Sequence, residues 1–205
     1  MAYAGSLNVP PEQVPDPAAD LDERGSEEGI AVLAGGCFWC VEAVYRQLDG
    51  VRAVTSGYAG GTPETADYRT VCAGGTDHAE SVEIRYDPAR ITFGRILKVF
   101  FSVAHDPTQK DGQGPDEGRQ YRSAIFYRDE QQREVAGAYI RQLEAAGVFA
   151  APIVTEVVPL RGFYRAEDYH QDYARHHPAE PYILFNARPK VDKVRTHFGE
   201  MTARR

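Results

Sequence analysis

From residue 30 onward the chain alternates short apolar runs with amphipathic stretches, whereas residues 1–29 carry prolines and acidic side chains with no sustained apolar period. Ile30 to Ala34 is an unbroken apolar run of the length that fills a central strand, and Gly35 and Gly36 after it permit a tight turn. The period then becomes helical: Phe38, Val41, Val44, Tyr45 and Leu48 form one stripe over residues 37–48, with Trp39, Glu42, Ala43 and Arg46 on the opposite side. Strands are predicted over residues 51–58 and 80–86. A helix over 92–104 follows, with Phe93, Ile96, Leu97, Phe100, Phe101 and Ala104 at helical spacing, and Asp106-Pro107 ends it. A strand over 122–128, a helix over 129–146 with Gly147 as its C-cap, and a strand over 153–158 complete the series. Further on, a solvated helix carrying Tyr169 and Tyr173 as core residues precedes a long C-terminal coil.

The order β-α-β-β-α-β-α-β is that of a split βαβ unit with additions. The expected fold class is therefore α/β, an α+β sandwich in which a mixed sheet with a ferredoxin-like core is covered by helices. A single domain over residues 30–205 is expected, with residues 1–29 an extension that is flexible or laid on the surface.

Charge and cysteine content narrow the function. With 23 basic against 30 acidic residues the net charge is −7, and no basic stripe is present to neutralise phosphates, so nucleic acid is not an expected partner. No apolar segment has the length of a membrane span and the first residues lack a secretory signal, which predicts a soluble, cytoplasmic protein without membrane contact. Three cysteines, two of them close together, fit catalytic, redox or metal use in a reducing compartment better than a disulfide-stapled scaffold.

Four residues carry the candidate chemistry. Cys37 falls where strand turns into helix, and a thiol there faces unpaired backbone N–H groups and the positive end of the helix dipole, which predicts an acidic, nucleophilic sulfur. Cys40, three residues on, shares its helix face in a C-x-x-C pair, and no second ligand pair accompanies it as zinc would require. Trp39, displaced from the apolar stripe and beside Cys37, either walls a small pocket or packs under a neighbouring loop. Glu80 shares a strand face with Val82, Ile84 and Tyr86, so it points toward the core, where lost hydration would keep its carboxyl protonated as a general acid requires. The alternative is that Glu80, first in its strand, reaches solvent or caps a loop. The glycine- and tyrosine-rich stretches 57–62 and 114–122 lack the Lys-Ser/Thr of a phosphate loop and read as loops around a site. Asp168, His170, Asp172, His176 and His177 lack a recognisable ligand spacing, so no metal is expected.

Six blocks in register carry a resemblance: Gly36-Cys37-Phe38-Trp39, Gly57-Tyr58-Ala59-Gly60-Gly61, Tyr68-Arg69-Thr70-Val71-Cys72, His78-Ala79-Glu80, His105-Asp106-Pro107 and Gln120-Tyr121-Arg122-Ser123-Ala124-Ile125, with a weaker continuation at residues 166–171. In these the chain resembles the A-type peptide methionine sulfoxide reductases, in the branch whose motif reads G-C-F-W-C. The resemblance implies that Cys37 attacks the sulfur of methionine S-sulfoxide, free or in proteins, while Phe38 and Trp39 enclose the substrate methyl group. It also implies that Glu80 protonates the sulfoxide oxygen with help from the hydroxyls of Tyr68 and Tyr121, and that Asp116 lines the pocket. No cofactor is implied. The sulfenic acid left on Cys37 would condense with a second thiol, and thioredoxin or a similar dithiol would reduce the disulfide. Many relatives carry Gly at the position of Cys40 and resolve with C-terminal cysteines, yet nothing after Cys72 is cysteine here. Cys40 is the proximal candidate for resolver, which helical geometry lets reach a disulfide only with local rearrangement; Cys72 is the lesser candidate, read by itself as a small buried apolar residue.

Overall fold

The computed structural model describes residues 9–202, so the first eight residues of the expected extension and the last three of the expected domain lie outside the described residues. The elements run β1 (Gly29–Gly35), α1 (Phe38–Tyr45), β2 (Val51–Ala59), α2 (Tyr68–Cys72), β3 (Ala79–Tyr86), α3 (Phe93–Val99), the small hairpin β4 (Gly112–Gln113) and β5 (Asp116–Glu117), β6 (Ser123–Tyr127), α4 (Glu130–Ala145), β7 (Glu156–Pro159), β8 (Phe163–Arg165), α5 (Tyr173–His176) and α6 (Arg188–His197). Six strands form one sheet in the order β7-β6-β1-β3-β2-β8. Every pairing is antiparallel except β6 with β7, which α4 joins as a parallel crossover. The inner four, β6-β1-β3-β2, are the split βαβ unit: β3 lies between β1 and β2, and β1 between β3 and β6. The mixed sheet with covering helices is thus the α/β architecture that the hydrophobic pattern predicts.

The main core lies on the helical face of the sheet, where Ala31, Leu33, Val54, Val82, Ile84 and Tyr86 meet α1, α3 and α4. The other face carries only a small cluster around Val32, Ala34, Ala124 and Phe126. Local signals that hold include the start of α4, where Asp129 accepts from the Gln132 N–H, and its end at Gly147. There Gly147, at φ +61°, donates to the Glu144 carbonyl and Val148 donates to that of Leu143, the paired bonds of a Schellman turn.

Differences from the sequence expectations have identifiable causes. The predicted helix over 92–104 is α3 followed by a wider turn, Phe100–Ala104 with π spacing, in which the Ser102 hydroxyl donates to the Lys98 carbonyl. Strand β7 begins at Glu156 rather than at residue 153, because Val154 donates instead to the Pro107 carbonyl outside the sheet. Gly57, Tyr58 and Ala59 belong to β2 and not to a loop; a Cβ on Gly57 would lie 2.5 Å from the Tyr164 carbonyl of β8, a strand too short to read from sequence. The C-terminal region is not a long coil: after α5 come a turn with π spacing, Ile183–Ala187, and α6, all packed on α1. Tyr169, expected in the core, is 60% exposed. Because these tail elements cover the side of α1 that faces away from the sheet, Glu42 and Ala43 are buried along with Phe38, Val41, Val44 and Tyr45, and the one-sided stripe does not hold. Helix α1 also stops at Tyr45 rather than at Leu48.

Residues 9–28 run across α6, α4 and α3. Lys193 donates to the Val9 carbonyl at 2.7 Å, Tyr139 to that of Pro15 at 2.8 Å, and Asp16 accepts from Arg95 and Lys98, each at 2.7 Å. Val14 is inserted into the core with 1% exposure. Truncating it removes two buried methyl groups, so Val14→Ala should cost about 1.5–3 kcal/mol and lower the melting temperature by about 3–10 °C. Calorimetry checks this; an unchanged melting temperature would show that the segment braces nothing.

Candidate active site

The site forms where β1 ends. Gly36 adopts φ +88°, and a Cβ there would stand 2.6 Å from the Gln113 side chain. Gln113 cannot give way, because its amide both accepts from the Asp106 N–H and donates to the Asp106 carbonyl at 3.0 Å. Glycine is therefore required on two counts. The turn delivers Cys37 as the N-cap residue of α1, with extended φ −53° and ψ 124° and no capping hydrogen bond from its side chain.

The helix start is served by Glu80 instead. The Phe38 N–H donates to Glu80 Oε2 at 3.0 Å, across 42 residues of sequence. Glu80 stands on β3 opposite Tyr58 and is 2% exposed, on the same face as the fully buried Val82, Ile84 and Tyr86. Burial pushes its carboxyl up to about 8, with the charges of Asp116 and Cys40 acting in the same sense and the Phe38 hydrogen bond opposing. Glu80 is thus held neutral beside Cys37, as its phase in the strand predicts.

For Cys37 the expectation of an acidic thiol is overturned. Burial, the adjacent Cys40 thiol and the acidic groups of Glu80 and Asp116, which oppose a second negative charge, raise its proton affinity well above the ordinary cysteine value. A helix end contributes typically 0.3–1 kcal/mol, against several kcal/mol for dehydrating an ion, and here the first N–H is already engaged by Glu80. Cys40 is displaced the other way. Its thiol is held below the ordinary value by the hydrogen bond from Cys37, then by the Lys190 ammonium and a hydrogen bond with Tyr182, against burial and Asp116. Both sulfurs line a cavity of about 10 Å³ together with Asp116, Tyr182, Asn186 and Lys190.

The remaining candidates gather around these groups. Phe38 is buried, its ring 5.8 Å from Tyr58 and 5.1 Å from the His170 imidazole. Trp39 is partly exposed; its indole N–H donates to His170 Nδ1 at 3.1 Å and one ring face stacks on Tyr173 at 3.8 Å. As Nδ1 accepts, the neutral imidazole carries its proton on Nε2, toward a Glu167 carboxylate oxygen 3.9 Å away. Tyr68 and Tyr121 are half-buried, with hydroxyls that act on the Cys72 thiol and lie near Glu80, and burial raises both. Cys72 is therefore a partly exposed neighbour of two hydroxyls rather than a buried apolar filler. Asp116 accepts from the Tyr182 hydroxyl at 2.5 Å, and burial raises its carboxyl.

Several site residues escape sequence reasoning. His170 orients Trp39, while Glu167 accepts from the Tyr58 hydroxyl and from the N–H of Tyr68, each at 2.9 Å, and so fixes the start of α2. Both stand in the weaker continuation at residues 166–171, which offers only that faint signal; Tyr182 and Lys190 offer none. Among the described residues no cluster of three or more His, Cys, Asp or Glu is arranged to hold a metal ion, and no helix is long and apolar enough to cross a membrane.

Comparison with known proteins agrees with this geometry. Residues 29–202 match the model of the family described as peptide methionine sulfoxide reductase. The chain is 55% identical over 183 residues to the peptide methionine sulfoxide reductase MsrA of Ralstonia nicotianae, covering 87% of this chain and 95% of the relative. It is 50% identical over 203 residues to MsrA 2 of Synechocystis sp., covering 96% and 94%. Among solved structures, the reduced form of Mxr1 from Saccharomyces cerevisiae superposes with a TM-score of 0.68 at 33% identity, covering 76% of this chain and 89% of that one. Methionine sulfoxide reductase A of Corynebacterium diphtheriae gives 0.63 at 36% identity, covering 77% and 79%. The chain belongs to the peptide methionine sulfoxide reductase family, A type, and is a thiol-dependent oxidoreductase that reduces methionine sulfoxide to methionine.

Proposed function

We propose that Cys37 is the nucleophile, Glu80 the general acid and Cys40 the resolving thiol, with the substrate methyl group held against Phe38 and Trp39. The observation that carries this reading is the Phe38 N–H to Glu80 hydrogen bond of 3.0 Å, which fixes a neutral carboxyl beside the residue that follows Cys37. A sulfoxide oxygen leaves only when protonated, so the acid must hold its proton while a sulfur attacks. The Cys37 proton passes across its hydrogen bond to Cys40 as the electron-poor sulfoxide sulfur approaches, and Glu80 protonates the oxygen. The hydroxyls of Tyr68 and Tyr121 hold that oxygen, and Asp116 bounds the pocket. The S–O bond of the substrate breaks, oxygen transfers to Cys37 as a sulfenic acid, and methionine departs. Cys40 then attacks the sulfenic sulfur: an S–S bond forms, the S–O bond breaks, and the hydroxyl leaves as water. Cys40 is preferred to Cys72 because it stands in the first turn of the helix that Cys37 caps and lines the same cavity. A thioredoxin-like dithiol in a reducing compartment such as the cytoplasm would restore both thiols, and substrates would include methionine sulfoxide within proteins.

Glu80→Gln tests the acid. General acids contribute about 10² to 10⁴ in rate, so kcat should fall by that factor. Wild-type kcat should decline as pH rises through about 8, where Glu80 ionises, and the variant should lose that limb. Stability should move the other way. The folded pKa of Glu80 lies above its unfolded one of about 4.3, so between that value and about 8 the unfolded chain releases a proton that the folded chain keeps, and rising pH favours unfolding. Glu80→Gln should therefore stabilise the protein at pH 7, by on the order of 3 kcal/mol. Full activity in this variant would remove Glu80 from the reaction.

Thiol counting tests the resolver. One equivalent of methionine S-sulfoxide should consume two thiols in wild type and in Cys72→Ser, but one in Cys40→Ser. Two thiols lost in Cys40→Ser with one lost in Cys72→Ser would transfer the role to Cys72.

A further inference from the structure

Cys40 is surrounded on every side by groups that could bear charge. Cys37 lies at the start of its own helix, Glu80 comes from β3, Asp116 from β5, Tyr182 precedes the Ile183–Ala187 turn, and Lys190 projects from α6. Lys190 is the one cation of this set. It is 3% exposed, and its Nζ donates to the Ala104 carbonyl at 2.7 Å, which anchors the ammonium where α3 runs out into its wide final turn. His105 beside it is kept neutral, since burial lowers its pKa to about 3, and it adds no second positive charge. The tail thus brings a single buried ammonium to the wall of the cavity that Cys37 and Cys40 share.

The two half-reactions place different demands on this charge. Before substrate arrives, the strongest support for a Cys40 thiolate is the hydrogen bond from the Cys37 thiol. Once Cys37 has become a sulfenic acid that thiol donor is gone, and the same sulfur must now be attacked. Lys190 and the Tyr182 hydroxyl are what remains to favour the anion, while Asp116 and burial oppose it. We propose that Lys190 is a positioning residue for the second half-reaction, its ammonium holding Cys40 as the thiolate that attacks the Cys37 sulfenic acid. This rests on the reading of Cys40 as resolver. In the step the Cys40 sulfur donates an electron pair to the Cys37 sulfur, and the S–O bond breaks. The proton that Cys40 accepted from Cys37 in the first half passes to the Glu80 carboxylate, which had given its own to the oxygen. The departing hydroxide takes it from there to become water, for which the cavity of about 10 Å³ has room.

Removing a neighbouring opposite charge raises a pKa by about 1–3 units. Each unit lowers the thiolate fraction tenfold at pH below the pKa, while intrinsic nucleophilicity recovers about threefold, so the net loss is roughly three- to thirtyfold. The experiment mixes reduced protein with one equivalent of methionine S-sulfoxide and follows methionine release and thiol loss together between about pH 6 and 9. In Lys190→Met, disulfide formation should slow relative to the methionine burst by about three- to thirtyfold at pH 7 and converge on the wild-type rate as pH rises. A purely structural role would lower the rate by one factor at every pH. Identical pH profiles, or profiles offset by a constant factor, would overturn the proposal. Loss of two thiols in Cys40→Ser would instead overturn the assignment of Cys40, and the proposal with it. Should Lys190→Met fail to fold, Cys40 is titrated by its alkylation rate in Cys37→Ser. A midpoint below the ordinary cysteine value of about 8.5 supports the proposal, and a midpoint at or above it overturns it.

Discussion

Burial next to two sulfurs keeps the Glu80 carboxyl neutral, and the hydrogen bond from the Phe38 N–H holds it in place against a smaller pull toward its ion. It satisfies one of the unpaired donors at the start of α1 without demanding a full negative charge, and it ties the strand that carries the acid to the helix that carries the thiols. Strand β3 is fixed by β1 on one side and β2 on the other, so Glu80 cannot drift toward water. The positions of Cys37, Phe38 and Trp39 relative to the acid follow from that one cross-link. The requirement for glycine at position 36 belongs to the same geometry, because the turn must bring α1 onto Glu80 while passing the clamped Gln113 side chain.

The second constraint is the tail. Helix α1 is buried on the sheet side by the core and on the other side by α5, α6 and the turn between them, so the tail is part of the site's wall and not an appendage. Its contributions are specific. His170 sets the indole of Trp39, Tyr173 covers one of its faces, Tyr182 bonds Asp116, and Lys190 lines the cavity that the two cysteines share. The Glu42 carboxylate, buried on α1, accepts twice from the Asp172 N–H and also from Arg46, which fastens the tail to the helix midway along. In A-type reductases that resolve through C-terminal cysteines, the tail would supply a thiol; in this chain it supplies charge and aromatic cover.

What the sequence reveals divides along the same line. The phase of Glu80 is legible because a strand has a period of two, and Val82, Ile84 and Tyr86 fix which face is buried. The order of strands and helices, the glycine turn before Cys37 and the Gly147 cap are likewise local signals. The tail is not legible: residues 178–205 have no clean helical stripe, since α6 buries only Lys190 and Val194, and a buried lysine reads as a solvated one. The stripe on α1 misleads for the converse reason, because a helix covered on two sides tolerates Glu42 inward once Arg46 and the tail backbone satisfy it. The Cys37 thiol is misjudged because the helix-end rule considers one term. Burial and three acidic neighbours outweigh a dipole whose first donor another side chain already uses.

These errors and successes meet in the proton inventory of the proposed reaction. Its first half needs a proton on Glu80 and its second a proton missing from Cys40, at one pH and within one small cavity. Uniform burial could not supply both, because it pushes carboxyl and thiol in the same direction, toward the neutral form. Glu80 follows that push, to about 8, because among the described residues no cation acts on it and its hydrogen bond comes from a neutral amide. Cys40 escapes it because Cys37, Lys190 and Tyr182 all favour its anion. The separation of an acid that keeps its proton from a sulfur that gives one up therefore depends on where the Lys190 cation sits. An ammonium on the β3 side of the cavity would ionise Glu80 and stop the first half; on α6, behind Cys40, it leaves the acid intact and serves the second.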